Sequence, residues 1–500
     1  MELMTITTSV SEFQNIRDGN KYYVDKTMLI DDLLSKDESG SYLCVRPRRF
    51  GKSMNLSMVD AFFNMRYKGN SWFDGLAISD HHEYDRYRNS FPVVRIDMKD
   101  VSVVDWEGFL SGLGKVIRRA FLDHIDIRGR IDPIYGMTYD RIVGMDYRES
   151  VLASSLTDLV SMLRSVYGRK VIVLVDEYDH PLTDTIGESV NDRILPFLRD
   201  LYSGIMKGNK DVQLAYVTGV SKISHQGFFS GLNNMYVYDS FSTDSDERFG
   251  FTGSEVMSIL DYFGASDRFD EVREWYDGYR FGNVDVYNPY SVMSYVSNGF
   301  KPSQYWIRTS SGSILRWILE RVDADRVLDM SCILSGGSVD ARISRRISVE
   351  DLKVPKGWHL FYALVEMGYL KAIPGEHNTY TFSVSNREVM AEVEDELAGV
   401  MGPDHDSEDG FVVSMMSMDD DSMTEYLGLI FADQSFFTLT DERYYAAVVV
   451  TVLRSLNRRY SILPEFEGGN GRVDVFLLPK MTADIPIIIE IKRVDDEDGM

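Results

Sequence analysis

Hydrophobic positions along the chain switch repeatedly between the two-residue period of strands and the 3.6-residue period of helices. Residues 42–45 form a short apolar run of strand character. After a polar loop, Met54, Leu56, Met58, Val59, Phe62 and Phe63 recur at the spacing of a buried helix face. Residues 92–98 predict a second strand, and 109–124 and 151–167 predict amphipathic helices. Val171, Ile172, Val173, Leu174 and Val175 are all apolar and mostly β-branched, which predicts a strand buried on both faces. Residues 213–221 predict another, with polar residues at its end. Strands alternating with helices point to an α/β layer structure with a largely parallel sheet.

Further along, Asp25 or Thr27 is placed to cap a helix through Met28, Leu33 and Leu34, and Asn288-Pro289 favours a turn before a helix at 291–296. Leu360, Phe361, Leu364, Val365 and Met367 give a helical stripe. Alternating residues at 368–373 and 380–384 then read as a hairpin, and Asn386 as the cap of a following helix. Helix, hairpin and helix together suggest a winged-helix-like packing module. Residues 402–424 are acidic and turn-rich and read as a linker, mobile or partly helical.

Composition narrows the class. Five hundred residues are too many for one ordinary core, so several domains are expected. The net charge of −25 argues against a surface that holds nucleic acid by bulk electrostatics, although a local basic groove is compatible with it. Two cysteines, Cys44 and Cys332, make neither a disulfide framework nor a zinc cluster and fit a reducing interior. The N-terminus lacks a signal-peptide pattern, and no run reaches the ~18 apolar residues of a membrane helix. The expected location is cytoplasmic, with no membrane partner.

Chemistry enters where the first strand meets its helix, at Gly51-Lys52-Ser53. Glycine lets the backbone approach a phosphate, the helix start points free N–H groups at it, lysine supplies a point charge, and serine offers a hydroxyl to Mg²⁺. The consensus G-x-x-x-x-G-K-[ST] is incomplete, because Arg46 stands at the first glycine position. A helix start that merely carries Gly-Lys-Ser is the alternative. The strand at 171–175 weighs against it, because it delivers Asp176 and Glu177 at its C-terminal end, where ligands bind in parallel sheets. Asp176 suits the Mg²⁺ shell and Glu177 the orientation or deprotonation of a water. Thr218 or Ser221 is placed to sense a γ-phosphate, with a plain strand exit as the alternative. Arg280 is a candidate arginine finger, against a surface ion pair.

A second constellation lies near the end. Glu442 opens a mostly apolar helix, Asp474 begins a strand after a glycine turn, and residues 486–492 read as a buried strand carrying Glu490 and Lys492 on one face. Two carboxylates holding one or two Mg²⁺ ions, with a lysine to steady developing charge, is what metal-dependent phosphodiester cleavage needs. On an ordinary amphipathic strand, Glu-x-Lys would simply be a solvated face.

These stretches resemble known families. Residues 22–27, 46–53, 175–179, 230–234, 275–282 and 287–291 are similar to the AAA-ATPase-like family of prokaryotic proteins, in which Arg-Pro-Arg-Arg-Phe before Gly-Lys-Ser is usual. The resemblance implies a P-loop NTPase core that takes ATP and Mg²⁺. Arg46, Arg49, Gly51, Lys52, Ser53 and Asp176 are then the nucleotide-binding candidates, Ser53 and Asp176 the Mg²⁺ ligands, and Glu177 the catalytic residue. Asp474, Glu490 and Lys492 fall at the motif positions of the PD-(D/E)XK nuclease family, whose extra helix acid corresponds to Glu442; Glu442, Asp474 and Glu490 are its candidate metal ligands. The expected organisation is a P-loop NTPase domain at 1–245, a helical lid region at 246–347, a winged-helix-like module at 348–401, an acidic linker at 402–424, and a restriction-endonuclease-like α/β domain at 425–500 that reads as truncated. The expected activity is Mg²⁺-dependent ATP hydrolysis coupled to the nuclease-like domain. A non-hydrolysing nucleotide-gated scaffold and an ATP-regulated DNA nuclease are the alternatives. No oligomeric state is derivable.

Overall fold

The computed structural model describes residues 4–220, 235–306, 324–334, 336–343, 358–393, 405–432, 442–468 and 471–492. The chain forms two compact units, one comprising Met1–Trp306 with Arg346–Val349 and Glu366–Gly368, the other Ile307–Arg345, Glu350–Val365 and Tyr369–Met500.

The first unit is built on five strands, β1 (Ser41–Val45), β2 (Val93–Asp97), β3 (Val171–Asp176), β4 (Val212–Gly219) and β5 (Met235–Tyr238). All neighbours run parallel in the order β2-β3-β4-β1-β5. Every residue of β3 is buried, as its unbroken apolar run requires for a strand covered on both faces. Helices α1 (Lys52–Phe63), α2 (Trp106–Asp123), α3 (Glu149–Tyr167) and α4 (Asn191–Met206) belong to the same unit. Helix α2 starts because the Asp105 carboxylate accepts from the Gly108 N–H at 2.7 Å, and it turns Phe109, Leu113, Ile117 and Phe121 into the core. Those residues share one cluster with Val173 and Val175 of β3 and Leu43 and Val45 of β1. Parallel strands place their C-terminal ends on one edge, so residues 46–53, 97, 176–179 and 218–220 come together there.

Two local expectations change. The helix Leu29–Asp37 has no side-chain cap. Asp25 instead accepts from the Thr27 and Ala77 N–H groups, and Thr27 Oγ1 accepts from the Ile78 N–H, so both side chains serve to dock the 76–78 segment. The 246–347 stretch, expected as a helical lid, contains a three-stranded antiparallel sheet of β6 (Phe251–Thr252), β7 (Tyr279–Phe281) and β8 (Val284–Tyr287), ordered β6-β8-β7. Beside it lie α5 (Gly253–Tyr262), opened by a complete Thr252/Glu255 capping box, and α6 (Pro289–Ser297), capped by Asn288 Oδ1.

The second unit holds β9 (Val339–Arg342), β10 (Leu370–Pro374) and β11 (Thr379–Val384). The hairpin β10–β11 forms as its alternation predicts, and β9 adds a strand that the pattern did not announce. Helix α7 (Trp358–Met367) precedes the hairpin, and Asn386 Oδ1 accepts from the Val389 N–H at 3.0 Å as the cap beyond it. The acidic stretch 402–424, read as a mobile or partly helical linker, is helical over α8 (His405–Ser417) and enters α9 (Asp420–Ala432). Its Phe411, Val412 and Met415 are buried, so the apolar residues between the acids hold the segment in place. Helix α10 (Glu442–Val452) and an antiparallel sheet ordered β12-β13-β14 complete the unit, with β12 at Tyr460–Gly468, β13 at Gly471–Pro479 and β14 at Ile487–Ile489. Residues 221–234, which include Ser221 and the 230–234 motif, lie outside the described residues, as do the side chain of Glu442 and residues 493–500.

Candidate nucleotide site and a second carboxylate pair

Strand β1 ends at Val45 and α1 begins at Lys52. Gly51 occupies the left-handed region at φ 82° as the N-cap residue of α1, a conformation that only glycine adopts without strain. The helix has no acid in its first turn and, among the described residues, no side-chain cap, so its leading N–H groups and positive end suit an anion. Lys52 is buried, and its Nζ donates to the carbonyls of Arg46 and Pro47, each at 2.8 Å. Burial pushes its ammonium down to about 8, while the charges of Glu177, Asp176 and Asp179 pull the other way. Ser53 lies half-buried in the first turn of the same helix.

Strand β3 brings the acids to the same edge. Asp176 is 3% exposed, and its Oδ1 accepts from the Thr218 hydroxyl and from the Glu177 N–H. Among the described residues no hydrogen bond falls on Oδ2, which leaves that oxygen for a cation. Glu177 sits at φ 49°, a strained backbone for a non-glycine residue and a frequent mark of a functional turn. The turn is tied to β4 throughout. The Tyr178 N–H donates to the Thr218 carbonyl at 3.0 Å, and the buried Asp179 carboxylate accepts from the Val220 N–H at 3.1 and 3.2 Å. Gly219 is required at this crossing, because a Cβ there would lie 2.4 Å from the Tyr178 ring and 2.7 Å from an Asp179 oxygen. The Gly219 carbonyl in turn accepts from the Arg46 N–H at 3.2 Å, so the loop and the acids form one hydrogen-bonded unit.

Asp97 and Asp179 stand at the same strand edge and are not among the expected site residues, although Asp179 falls within the 175–179 motif. Asp97 is the register partner of Asp176, and its carboxyl is raised by burial and by the charges of Asp176 and Glu177. The signal was available, since the 92–98 strand also ends in an acid.

Arg46 departs from its expected place among the nucleotide contacts. It is fully buried, its Nη1 donates to the carbonyls of Val45 and Tyr238 at 2.9 and 2.8 Å, and its guanidinium lies over the rings of Phe249 and Phe281. Aromatic faces and backbone carbonyls hold it away from the mouth of the loop. Arg49 is exposed at φ 69°, with its guanidinium 4.5 Å from the Tyr290 ring centroid. Thr218 spends its hydroxyl on Asp176. Arg280 pairs with Asp285 at 3.0 Å, the surface-pair alternative to an arginine finger.

In the second unit, Asp474 stands on the central strand β13, and its Oδ2 accepts from the Ile491 N–H at 2.7 Å. This bond brings Asp474 beside the chain segment that carries Glu490 and Lys492. The expected buried strand is corrected to the short β14, with Ile488 59% exposed and both Glu490 and Lys492 exposed. Among the described residues, no element packs over that row of the sheet closely enough to bury it. Among the described residues, no group of three or more His, Cys, Asp or Glu is placed to hold an ion. Mg²⁺ bound with a phosphate ligand needs only one or two carboxylates, so Ser53 with Asp176, and Asp474 with Glu490, are chemically suitable donor sets. Among the described residues no helix is long and apolar enough to cross a membrane.

Residues 7–229 match the model of a predicted AAA-ATPase family, and residues 440–499 match that of the PD-(D/E)XK nuclease superfamily. A relative described as an uncharacterized protein in the vnfD 5' region of Azotobacter chroococcum mcd 1 is 30% identical over 409 residues, covering 79% of this chain and 70% of that protein. A solved structure of the Aeropyrum pernix ORC2 protein in ADPNP-ADP complexes covers 75% of this chain and 92% of its own at 12% identity, with a TM-score of 0.34.

Proposed function

From the premise that this chain belongs to the predicted AAA-ATPase family, we propose that its first unit is a Mg²⁺-dependent ATPase. The observation that carries the reading is the buried Lys52 ammonium at the open end of α1, with Glu177, Asp176 and Asp179 as its acidic neighbours. In this reading Lys52 and the α1 N–H groups hold the β- and γ-phosphates. Ser53 and Asp176 hold Mg²⁺, which neutralises phosphate charge. Glu177 orients the attacking water, and Thr218 fixes the Asp176 carboxylate so that its free oxygen faces the ion. Arg49, exposed at the loop tip, is a loop cation for the nucleotide in this reading. Steady-state ATP turnover with Mg²⁺ tests this. Lys52→Ala should abolish nucleotide binding measured by calorimetry. Glu177→Gln should keep binding and lose about 10²–10⁴ in kcat. Equal turnover in the wild type and Lys52→Ala would remove the assignment, and tight binding without turnover in the wild type would select the nucleotide-gated scaffold instead.

A second activity has its own support in the Asp474–Ile491 hydrogen bond, which sets Asp474 against the segment bearing Glu490 and Lys492. In this reading Asp474 and Glu490, with Glu442, supply oxygens to a divalent ion, and Lys492 steadies the charge developing on a DNA phosphate. ATP occupancy of the first unit would govern the cleavage. Nicking of plasmid DNA in Mg²⁺ or Mn²⁺ that is lost in Glu490→Ala and Lys492→Ala would support it, and nicking that persists in both would exclude these residues. A cytoplasmic setting follows from the ATP requirement of this reading.

A further inference from the structure

We propose that Arg46 is a positioning residue: together with Phe50 it pins the phosphate loop to aromatic rings from residues 249–281, and this pin does the work that a first glycine does in the consensus loop. The inference rests on the nucleotide-binding reading of the loop and adds what shapes it.

Alternate loop residues, Arg46, Arg48 and Phe50, each meet an anchor within the same unit. The Arg46 guanidinium carbon lies 5.1 Å from the Phe249 centroid and 4.6 Å from that of Phe281. Phe50, 1% exposed, packs edge-on against Tyr279 at 4.8 Å and Phe281 at 5.1 Å. The Arg48 carbonyl accepts from Trp306 Nε1 at 3.0 Å. Phe281 therefore touches both ends of the loop. Gly250, at φ 78°, allows this bed, since a Cβ there would come within 3.0 Å of Val286 and 3.2 Å of the Phe50 ring.

The link to the phosphate site is one bond long. The carbonyl of Arg46, whose side chain is held by Phe249, Phe281 and Tyr238, is itself an acceptor for Lys52 Nζ. Fixing the arginine side chain thus fixes the backbone oxygen that aims the lysine. Among the described residues, two guanidinium nitrogens, Nε and Nη2, are buried without a hydrogen-bond partner. That burial is costly unless ring faces compensate for lost water, so the arginine is held there by the cation–π geometry. A loop already ordered by side-chain anchors loses less entropy on binding phosphate than a glycine-rich one.

The test is Arg46→Gly in the full chain, which restores the consensus G-x-x-x-x-G-K-S. If Arg46 pins the loop, amide hydrogen exchange of residues 46–53 without nucleotide should quicken by about tenfold or more, and ATP affinity by calorimetry should fall by about tenfold. Phe281→Leu should produce the same two changes, and the double variant should be little worse than either single one, because both remove one pin. Arg46→Lys, which keeps the cation but not the planar guanidinium stacked on the rings and bonded to the Val45 and Tyr238 carbonyls, should fall between. Circular dichroism identifies a variant that fails to fold, and Phe281→Leu then carries the comparison. Unchanged loop exchange in both variants, or ATP binding in Arg46→Gly as tight as in the wild type, would overturn the proposal. A wild type that binds no ATP would remove the nucleotide reading, while the exchange measurement would still decide the pin.

Discussion

The two carboxylate sites are built on opposite terms. At the first, Asp176 ends a strand whose every residue is buried, and its turn is bonded to the neighbouring strand at Thr218 and Val220. At the second, Glu490 and Lys492 lie just beyond the end of β14 on an exposed edge, and the Ile491 N–H between them donates to Asp474. The difference teaches that an acidic motif after an apolar run means different things on a central and on an edge strand. On the central strand the carboxylates are oriented before any ligand arrives. On the edge strand their geometry depends on what binds or packs there.

The largest expected contrast is in stability. Leu174→Ala in β3, at 0% exposure, should cost about 2–5 kcal/mol in a denaturant melt, from lost burial and the cavity left behind. Next, Thr218→Val removes the hydrogen bond to a buried carboxylate and should cost about 1.5–3 kcal/mol. The same variant should lower kcat more than it raises KM, since Asp176 loses its fixed orientation. A loss confined to stability would detach Thr218 from the chemistry.

The pH dependence comes third. Only the charged Lys52 attracts phosphate, and burial brings its titration down to about 8. ATP affinity should therefore weaken about tenfold between pH ~7 and pH ~9, with proton uptake on binding visible as a buffer-dependent enthalpy. The folding contribution of the same group has the opposite sign. Above about 8 the folded lysine is neutral while the unfolded one stays charged up to its ordinary 10.5, so the unfolded state binds more protons and stability rises with pH across that window. Affinity that stays level to pH ~9.5 would mean that Lys52 does not meet the phosphates.

The smallest effect belongs to the edge strand. Ile488→Ala, at 59% exposure, should change stability by no more than about 0.5 kcal/mol. A loss of several kcal/mol there would show that something covers this face in solution and would erase the contrast between the two sites.

Much of this was legible along the chain. The runs that became β1, β3 and β4, the helix face of α1, the hairpin β10–β11, the turn at Asn288-Pro289 before α6 and the cap at Asn386 all follow from local periodicity or side-chain chemistry. So did Gly51, Lys52, Ser53, Asp176 and Glu177 as a group, because each needs only its neighbours in sequence to be placed at a strand end or helix start. Two segments show what periodicity lacks. Residues 402–424, expected as a mobile or partly helical linker, lie mostly in helices held by a few buried apolar residues, and residues 486–492 are apolar yet exposed, because burial depends on what lies over a strand.

What the sequence by itself determined is therefore the set of chemical groups and the local elements that carry them: a lysine and a serine opening a helix, two acids ending a buried strand, and an Asp and a Glu-x-Lys near the end. Tertiary structure alone decided the strand order β2-β3-β4-β1-β5, which sets β4 between the loop strand and the acid strand and makes Thr218 the partner of Asp176. It also decided the fate of Arg46, which a motif compares with a missing glycine and the fold turns inward onto Phe249 and Phe281, roughly 200 residues or more away in sequence. The physical reason is the same in both cases. Local patterns report the conformation a segment prefers, whereas strand neighbours and aromatic cradles are set by long-range burial that no single segment encodes.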